Sequence, residues 1–292
     1  MTSASSNVTL RNSAEWELDA PDGYTYLIQV SWPLQWKERA GHEGVAVLYL
    51  LDGNSVFLTA TEAAWRRASA PHFAGGGLIV SVGHKLKDDF LFSSRRNQDL
   101  TPPSAKSAPG HGGADSFIKF INDQLKPFVR STVLANSTVG YEALFGHSYG
   151  GLFTLYTMFT HPTSFDCFFA GSPSIWYDDW VLLESEKRFT GGSRPSSPPT
   201  LLMFYGSLEQ DPSKRTSETD DTFLRRRQSA QSRAMKESVI SMVQRLRKSE
   251  NVKYVNCKEY PGEDHGTVIG CGLGRAVATF FEDWPFSSDT SF

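Results

Sequence analysis

The chain has 292 residues, of which 39% are hydrophobic and 21% charged, and its formal net charge is −3. Lysines and arginines are scattered and form no basic stripe that would neutralise a phosphate backbone, so we expect no nucleic-acid partner. No segment reaches the roughly 18 consecutive apolar residues that cross a bilayer, and the N-terminus lacks the pattern of a signal peptide, so we expect a cytoplasmic protein with no membrane partner.

The first 35 residues predict antiparallel strands at a sheet edge. EWELDA (15–20) and YTYLIQVSW (24–32) are separated by a Pro-Asp-Gly turn at 21–23, and the second segment alternates and is rich in β-branched and aromatic residues. GVAVLYLLDG (44–53) follows as an unbroken apolar run that ends in Asp-Gly. Such a run is typical of a strand buried on both faces, so it predicts a central strand.

Later segments alternate between strand and helix. Apolar strand patterns recur at 76–83, 141–146, 165–173, 200–206 and 252–262, and helical patterns lie near 55–70, 114–130, 150–160, 227–249 and 271–282. This alternation predicts an α/β fold with a mostly parallel central sheet and helices on both faces.

Three polar stretches, at 101–115, 191–199 and 207–228, interrupt this alternation. Proline, glycine, serine and charged residues dominate them, which is typical of surface loops or short mobile insertions. None is flanked by enough apolar sequence for an independent core, so we expect one domain over residues 1–292.

Cys167, Cys257 and Cys271 are widely spaced, with no C-x-x-C pair and no histidine at metal-ligand spacing. We expect neither disulfides nor a metal site, and we interpret all three as small buried residues.

The segment FGHSYGG (145–151) predicts a nucleophile. Ser148 is the centre of a G-x-S-x-G sequence, with a strand pattern before it and a helix pattern after it, as in an α/β-hydrolase. Such a sharp turn strains the apex residue and brings chains close together, so glycine is expected two residues before and two residues after the serine. The following helix N-terminus favours the negative charge that develops on attack.

A serine hydroxyl needs a base, and His265 is the candidate. In α/β-hydrolase order the histidine follows the last strand, and EYPGEDHG places His265 between the final strand pattern and the final helix pattern. His147, beside the serine, is interpreted as a structural residue. The acid that orients His265 is expected a few residues beyond Gly206, where Glu209 is the first choice and Asp211 the alternative.

The oxyanion of an acyl-transfer intermediate needs two fixed donors. The main-chain N–H of Tyr149 is one candidate, and that of Gly53 or Asn54, after the central strand, is the other. Within the polar insertion at 207–228, residues 211–228 adjoin the candidate acid, so we interpret the insertion as a mobile lid over the site.

These motifs together resemble the esterase branch of the α/β-hydrolases that includes the enterobactin and salmochelin esterases and the triacetylfusarinine-type siderophore esterases of fungi. The resemblance rests on LYLLDGNSVF, RRNQDLTPPS, LFGHSYGGLFTLYTMFTHPTSFDCFFAGSPSIWYDD and YPGEDHGTVI, and it spans residues 20 to 282. It implies a serine esterase, with Ser148 as nucleophile and His265 as base. Some members of this branch are similar to a full catalytic triad and others to a serine–histidine dyad. The acid that orients His265 could therefore be Glu209 or Asp211, or the site could have no such acid.

The resemblance also implies a substrate and where it binds. We expect a fungal hydroxamate siderophore ester whose cleavage releases iron inside the cell, with no cofactor, because iron belongs to the substrate. Arg95 and Arg96 match a segment near the site mouth, where they either hold the substrate or lie in a solvated loop with Asp99 as partner. Trp176 is a candidate lining residue of the acyl pocket.

Other functions stay open at this stage. A general carboxylesterase or an S-formylglutathione hydrolase-like thioesterase would use the same residues, and an acyltransferase would use the same acyl-enzyme with water excluded. A non-catalytic binding protein would lack the nucleophile or the base, and both are present. The sequence does not specify an oligomeric state.

Overall fold

A computed structural model describes residues 8–69, 76–86 and 91–286. In this part of the chain, eight strands form one sheet in the order β1-β2-β4-β3-β5-β6-β7-β8. They are β1 (Ser13–Asp19), β2 (Thr25–Ser31), β3 (Val45–Leu50), β4 (Leu78–His84), β5 (Val139–His147), β6 (Cys167–Gly171), β7 (Thr200–Gly206) and β8 (Tyr254–Tyr260).

The sheet is parallel except at one end. β1 pairs antiparallel with β2, and β2 pairs antiparallel with β4. The remaining neighbours pair in parallel, and β3 lies between β4 and β5. All six residues of β3 are buried, so the prediction of a central strand from its unbroken apolar run is confirmed.

The α-helices are α1 (Gly53–Ser69), α2 (Arg95–Asp99), α3 (Ala114–Phe120), α4 (Lys126–Phe128), α5 (Tyr149–Thr160), α6 (Tyr177–Trp180), α7 (Leu182–Gly191), α8 (Asp220–Arg233), α9 (Met235–Leu246) and α10 (Val268–Glu282). Two π-helical segments, Ile121–Leu125 and Val129–Val133, continue α3 and α4. Among the described residues, no helix combines the length and the hydrophobicity that crossing a membrane requires.

Helices cover both faces of the sheet. The apolar sides of α1 and α10 pack on one face, and those of α3, α5, α7 and α9 pack on the other. The predicted α/β architecture is therefore confirmed, and the parallel strands present their carboxyl ends at one edge, where loops collect functional groups.

Some predicted helix boundaries, and the predicted burial of two cysteines, are wrong. α7 was not predicted, and the helix expected from residue 227 is two helices, the first of which begins at Asp220 inside the predicted polar insertion. The sequence of α8 has no apolar periodicity that would predict a helix, and consistent with this, α8 has no buried residue. Residue 70, where the first predicted helix ends, lies outside the described residues. Cys167 is buried as expected, but Cys257 is half-buried and Cys271 is exposed.

Candidate active site

Ser148 lies on a sharp turn at the carboxyl end of β5. Its backbone has φ 60° and ψ −116°, outside the regions that non-glycine residues ordinarily occupy. α5 begins at the next residue, and the main-chain N–H of Ser148 donates to the carbonyl of Gly171 on β6 at 2.9 Å. The turn therefore presents the serine beside a helix N-terminus, as the motif predicts.

Close contacts explain two of the three neighbouring glycines. A Cβ at Gly146 would lie 2.2 Å from the Gly150 carbonyl oxygen, and a Cβ at Gly151 would lie 2.6 Å from the carbonyl oxygen of Gly171. At Gly150 the nearest atom would be Asp52 Oδ2 at 3.4 Å, an ordinary contact. The expectation that the glycine two residues after the serine is sterically required is therefore wrong, because the close approach to β6 occurs at Gly151.

His265, in the loop after β8, contacts Glu209, in the loop after β7. His265 Nδ1 lies 2.6 Å from Glu209 Oε2, and the Glu209 side chain is only 3% exposed. The other carboxylate oxygen accepts hydrogen bonds from Ser172 Oγ at 2.6 Å and from the Gly206 N–H at 2.7 Å. Glu209 is thus held from two sides, and its bond to Nδ1 selects the tautomer in which His265 Nε2 is free to accept a proton.

The alternative acid lies elsewhere. Asp211 pairs with Arg227 at 3.0 Å, and its side chain is 72% exposed. Asp264 accepts from the N–H groups of Gly266 and Thr267, at 2.9 and 3.0 Å, and so stabilises the loop that carries His265. Of the carboxylates considered, Glu209 is therefore the one bonded to the imidazole.

Ser148 and His265 line one cavity of about 500 Å³, together with Glu209 and Trp176. Ser148 Oγ lies 3.5 Å from Ser174 Oγ, across the turn that follows β6. A cavity of this size accommodates a small-molecule ligand. The structure thus brings together the predicted nucleophile, base, acid and lining tryptophan.

His147 packs directly against His265. The ring centroids lie 4.5 Å apart, and the His147 side chain is buried, with no hydrogen-bond partner for Nε2 among the described residues. Burial, reinforced by the neighbouring His265 and by the charge of Arg96, holds the pKa of His147 well below its ordinary value. A neutral ring therefore supports the candidate base, a contact that the sequence alone did not indicate.

The candidate oxyanion donors open two helices. Tyr149 begins α5, and Gly53 and Asn54 begin α1, so their main-chain N–H groups lack partners within their own helices. None of the three is among the residues that line the cavity. The Asn54 side chain is occupied, since it accepts from the His84 N–H at 2.8 Å and donates to the His84 carbonyl at 3.0 Å.

Arg95 and Arg96 are engaged in ion pairs and do not line the cavity. Arg96 makes a bidentate pair with buried Asp52, at 2.7 and 3.0 Å. Arg95 Nε lies 2.8 Å from Asp99 Oδ1, and the same guanidinium pairs with Asp22. Of the two interpretations, these ion pairs favour partners within the chain over substrate binding, and Arg95 pairs with the expected Asp99. The pairs neutralise Asp52 and Asp99, carboxylates that burial would otherwise leave uncompensated.

The strand order, the strained serine between β5 and α5, and the histidine after β8 bonded to a carboxylate after β7 define an α/β-hydrolase. Comparison with known proteins refines this class. The "Putative esterase" family model matches residues 23–245, and the chain belongs to that family. It is an esterase.

Two relatives and one solved structure resemble nearly the whole chain. The chain is 43% identical to the siderophore triacetylfusarinine C esterase of Aspergillus fumigatus, over 96% of each chain. It is 39% identical to the siderophore enterobactin esterase of Emericella nidulans, over 91% of this chain and 93% of the relative. The structure of siderophore hydrolase EstB from Aspergillus nidulans matches with a TM-score of 0.92 and 42% identity, over 97% of this chain and 99% of that one.

Proposed function

We propose that this esterase hydrolyses ester bonds of a siderophore, and that the siderophore is of the fungal hydroxamate type. The observation that carries the proposal is the similarity, over more than nine tenths of the chain, to two proteins named as siderophore esterases. The cavity that holds Ser148, His265 and Glu209 is consistent with it, because a substrate ester can reach the nucleophile there.

In the proposed mechanism, His265 Nε2 takes the proton of Ser148 as the serine oxygen attacks the ester carbonyl. Glu209 orients the imidazole and stabilises its positive charge, and the N–H groups of Tyr149 and of Gly53 or Asn54 stabilise the oxyanion. Collapse of the intermediate expels the alcohol, which receives the proton from His265. Water then attacks the acyl-enzyme by the same route and releases the acid.

Ester cleavage provides a physical route to iron release. While the chelating arms are linked, each holds the next at a high effective concentration near the metal, and cutting a link removes that advantage. We propose that this occurs in the cytoplasm, after uptake of the loaded siderophore. The iron belongs to the substrate, and the proposed reaction uses no cofactor.

Mass spectrometry of reaction products tests the proposal. Ferric and iron-free triacetylfusarinine C and enterobactin are incubated with the protein and with Ser148→Ala, alongside p-nitrophenyl acetate and S-formylglutathione. We expect ring-opened siderophore products with the unmodified protein and none with the variant. Turnover of the small esters or the thioester alone would contradict the siderophore assignment, and full activity of Ser148→Ala would contradict the mechanism. An added alcohol acceptor reveals acyl transfer, for which we expect no product.

A further inference from the structure

One wall of the active-site cavity is cationic. α8 and the loop before it contribute Arg215, Arg226 and Arg233 to the lining. The chain as a whole has a formal net charge of −3, so this local excess of arginine is not a reflection of overall composition. The same lining contains two carboxylates, Glu209 and Asp264. Glu209 is bonded to His265 and to the Gly206 N–H, and Asp264 accepts a hydrogen bond from the Gly266 N–H.

Two of these three arginines already have carboxylate partners. Arg226 makes a bidentate pair with Glu218, at 2.8 and 2.6 Å. Arg215 lies 3.8 Å from Asp264. In the described part of the chain, Arg233 has no carboxylate within ion-pair distance and no hydrogen-bond acceptor. Its charge is therefore available to a ligand.

Trp176 holds the Arg233 guanidinium in place. The guanidinium carbon lies 4.9 Å from the centre of the Trp176 ring, within the range of a cation–π contact. Such a contact orients the planar group and leaves its edge N–H donors free to bind a carboxylate with two bonds. Trp176 also contacts Tyr149, the residue after the nucleophile, with ring centroids 6.5 Å apart.

The charge of Arg233 extends to the nucleophile turn. Burial raises the pKa of Tyr149, and the positive charges of Arg96 and Arg233 act against that rise. Since Ser148 and Arg233 line the same cavity, one substrate molecule can present an ester to Ser148 and an anionic group to Arg233.

We propose that Arg233, held against Trp176, is a specificity-determining subsite for a carboxylate that the substrate carries away from the scissile ester. This inference rests on the proposed esterase reaction at Ser148 and adds a preference, within its substrates, for esters that also bear a free carboxylate. A molecule with several ester bonds gains one carboxylate at each cleavage. The subsite therefore favours partly hydrolysed intermediates and promotes successive cleavage.

A pair of chromogenic esters tests the subsite. The p-nitrophenyl monoester of adipic acid carries a free carboxylate, and the matching ester of adipamic acid carries a neutral amide in its place. We expect the unmodified protein to have a kcat/KM about fivefold or more higher for the anionic ester, as suits a solvent-accessible charged bond. This preference should decrease as salt is added, since ions screen exposed charges.

Variants assign the preference to one residue. Arg233→Gln should raise KM for the anionic ester about fivefold and leave the neutral ester within about twofold. Arg233→Lys should retain part of the preference, because it keeps the charge and loses the planar donors. Arg227→Gln is the matched control, since Arg227 lies on the same helix, pairs with Asp211 and does not line the cavity.

Equal kcat/KM for the two esters in the unmodified protein would overturn the subsite, and so would equal losses on both esters in Arg233→Gln. Failure of the esterase proposal gives a different result, namely no nitrophenolate release above that of Ser148→Ala from either ester. In that case, calorimetric titration of adipate into the Ser148→Ala protein tests whether the subsite binds a carboxylate. If adipate binds and the additional substitution Arg233→Gln abolishes the binding, the subsite is supported. If adipate does not bind, the subsite is overturned.

Discussion

At Ser148 the chain adopts a conformation that is strained for any residue with a side chain, and its neighbours make this possible. β5 and α5 approach so closely at the turn that Gly146 faces the main chain of Gly150. Gly151 lies against the end of β6, where the Gly171 carbonyl also accepts from the Ser148 N–H. Ser148 is thus fixed by backbone packing on two sides, which explains how a costly conformation persists.

The glycines of the turn should differ sharply in their tolerance of alanine. Gly146→Ala and Gly151→Ala should lower Tm and reduce kcat/KM by about a hundredfold or more, because the new methyl group forces the turn to shift and small misplacements are costly. Gly150→Ala should keep kcat/KM within about threefold and gain up to about 1 kcal/mol of stability, since alanine is the better helix residue.

Thermal unfolding and ester hydrolysis, measured on all three variants, check this prediction. Gly150→Ala is the internal control, because it adds the same methyl group one residue away from Gly151. Losses in Gly150→Ala as large as those in Gly146→Ala would show that the backbone contacts do not determine the requirement for glycine.

Substitutions of Glu209 and of Asp211 should differ in their effect on kcat. Glu209→Gln keeps the shape of the side chain but loses the charge that stabilises an imidazolium, and its amide favours the wrong tautomer of His265. We expect kcat to fall about 10²- to 10⁴-fold with little change in KM. Asp211→Asn should stay within about twofold, as its carboxylate is exposed and paired with Arg227.

Steady-state kinetics on one ester, with circular dichroism to verify folding, provides the measurement. If Glu209→Gln retained more than half of the kcat, the site would operate as a serine–histidine dyad, and Glu209 would only support the loop.

At the site, local patterns predicted residues that the structure brings together. The strand–turn–helix context predicted Ser148, chain order predicted His265 and put Glu209 ahead of Asp211, and their catalytic roles stay predictions. Sequence reasoning named Asp99, which does pair with Arg95, but it did not predict the partners that are distant in sequence: Asp52, 44 residues before Arg96, and Asp22, 73 residues before Arg95. For Arg96, nothing local to the RRNQD segment indicates the distant carboxylate that it binds.

The two helices that follow Glu209 in the chain, α8 and α9, differ in how they are held. α9 buries five residues, Met235, Val239, Met242, Val243 and Leu246, against the sheet. α8 buries none and is held through surface pairs such as Arg226–Glu218 and Arg227–Asp211. This difference also explains the error in the predicted boundary, since apolar periodicity identified α9 and could not identify α8.

We propose that residues 211–228 of the polar insertion, extended to the end of α8 and so beyond the fixed Glu209, act as a mobile lid. Helices without buried apolar area open with little free-energy cost, so the amides of α8 should exchange with deuterium at least about tenfold faster than those of α9. A phosphonate that modifies Ser148 should slow exchange in α8 if the helix closes over the site. Hydrogen-exchange mass spectrometry of the free and modified protein measures both effects, and equal, strong protection of α8 in both states would contradict the lid.

Across the whole molecule, the sheet follows from the pattern of apolar runs. Every predicted strand corresponds to a strand in the structure, with ends that agree within three residues. Sequence patterns gave the parallel and antiparallel parts, because strands that alternate with helices need crossovers whereas the N-terminal pair shares a tight turn. The pairing of β2 with β4, which skips β3 in the chain, depends on packing over the complete sheet and was not predicted.

The same packing buries two histidines, His84 at the end of β4 and His147 at the end of β5. Burial, together with Arg95 and Arg96 and against the opposing charge of Asp52, lowers the pKa of His84 to about 4. The His84 ring, 3.1 Å from the Tyr24 hydroxyl, is thus neutral in the folded protein at pH values where an unfolded chain protonates it. Folding therefore excludes a proton that the unfolded state binds.

Because the folded pKa of His84 is below the unfolded value of about 6.5, its contribution to stability is complete above pH 6.5 and decreases as pH falls toward 4. One residue with this shift accounts for roughly 3 kcal/mol of lost unfolding free energy.

In His84→Gln, which can still accept a hydrogen bond from Tyr24, the change in unfolding free energy between pH 7 and pH 4.5 should be smaller by about 2 kcal/mol. Urea unfolding at both pH values measures this difference, with the exposed His161→Gln as control. Asp99, whose pKa burial raises to about 6, has the opposite pH dependence, but it is common to all the proteins compared. An identical pH dependence in His84→Gln and in the unmodified protein would mean that His84 is protonated inside the fold.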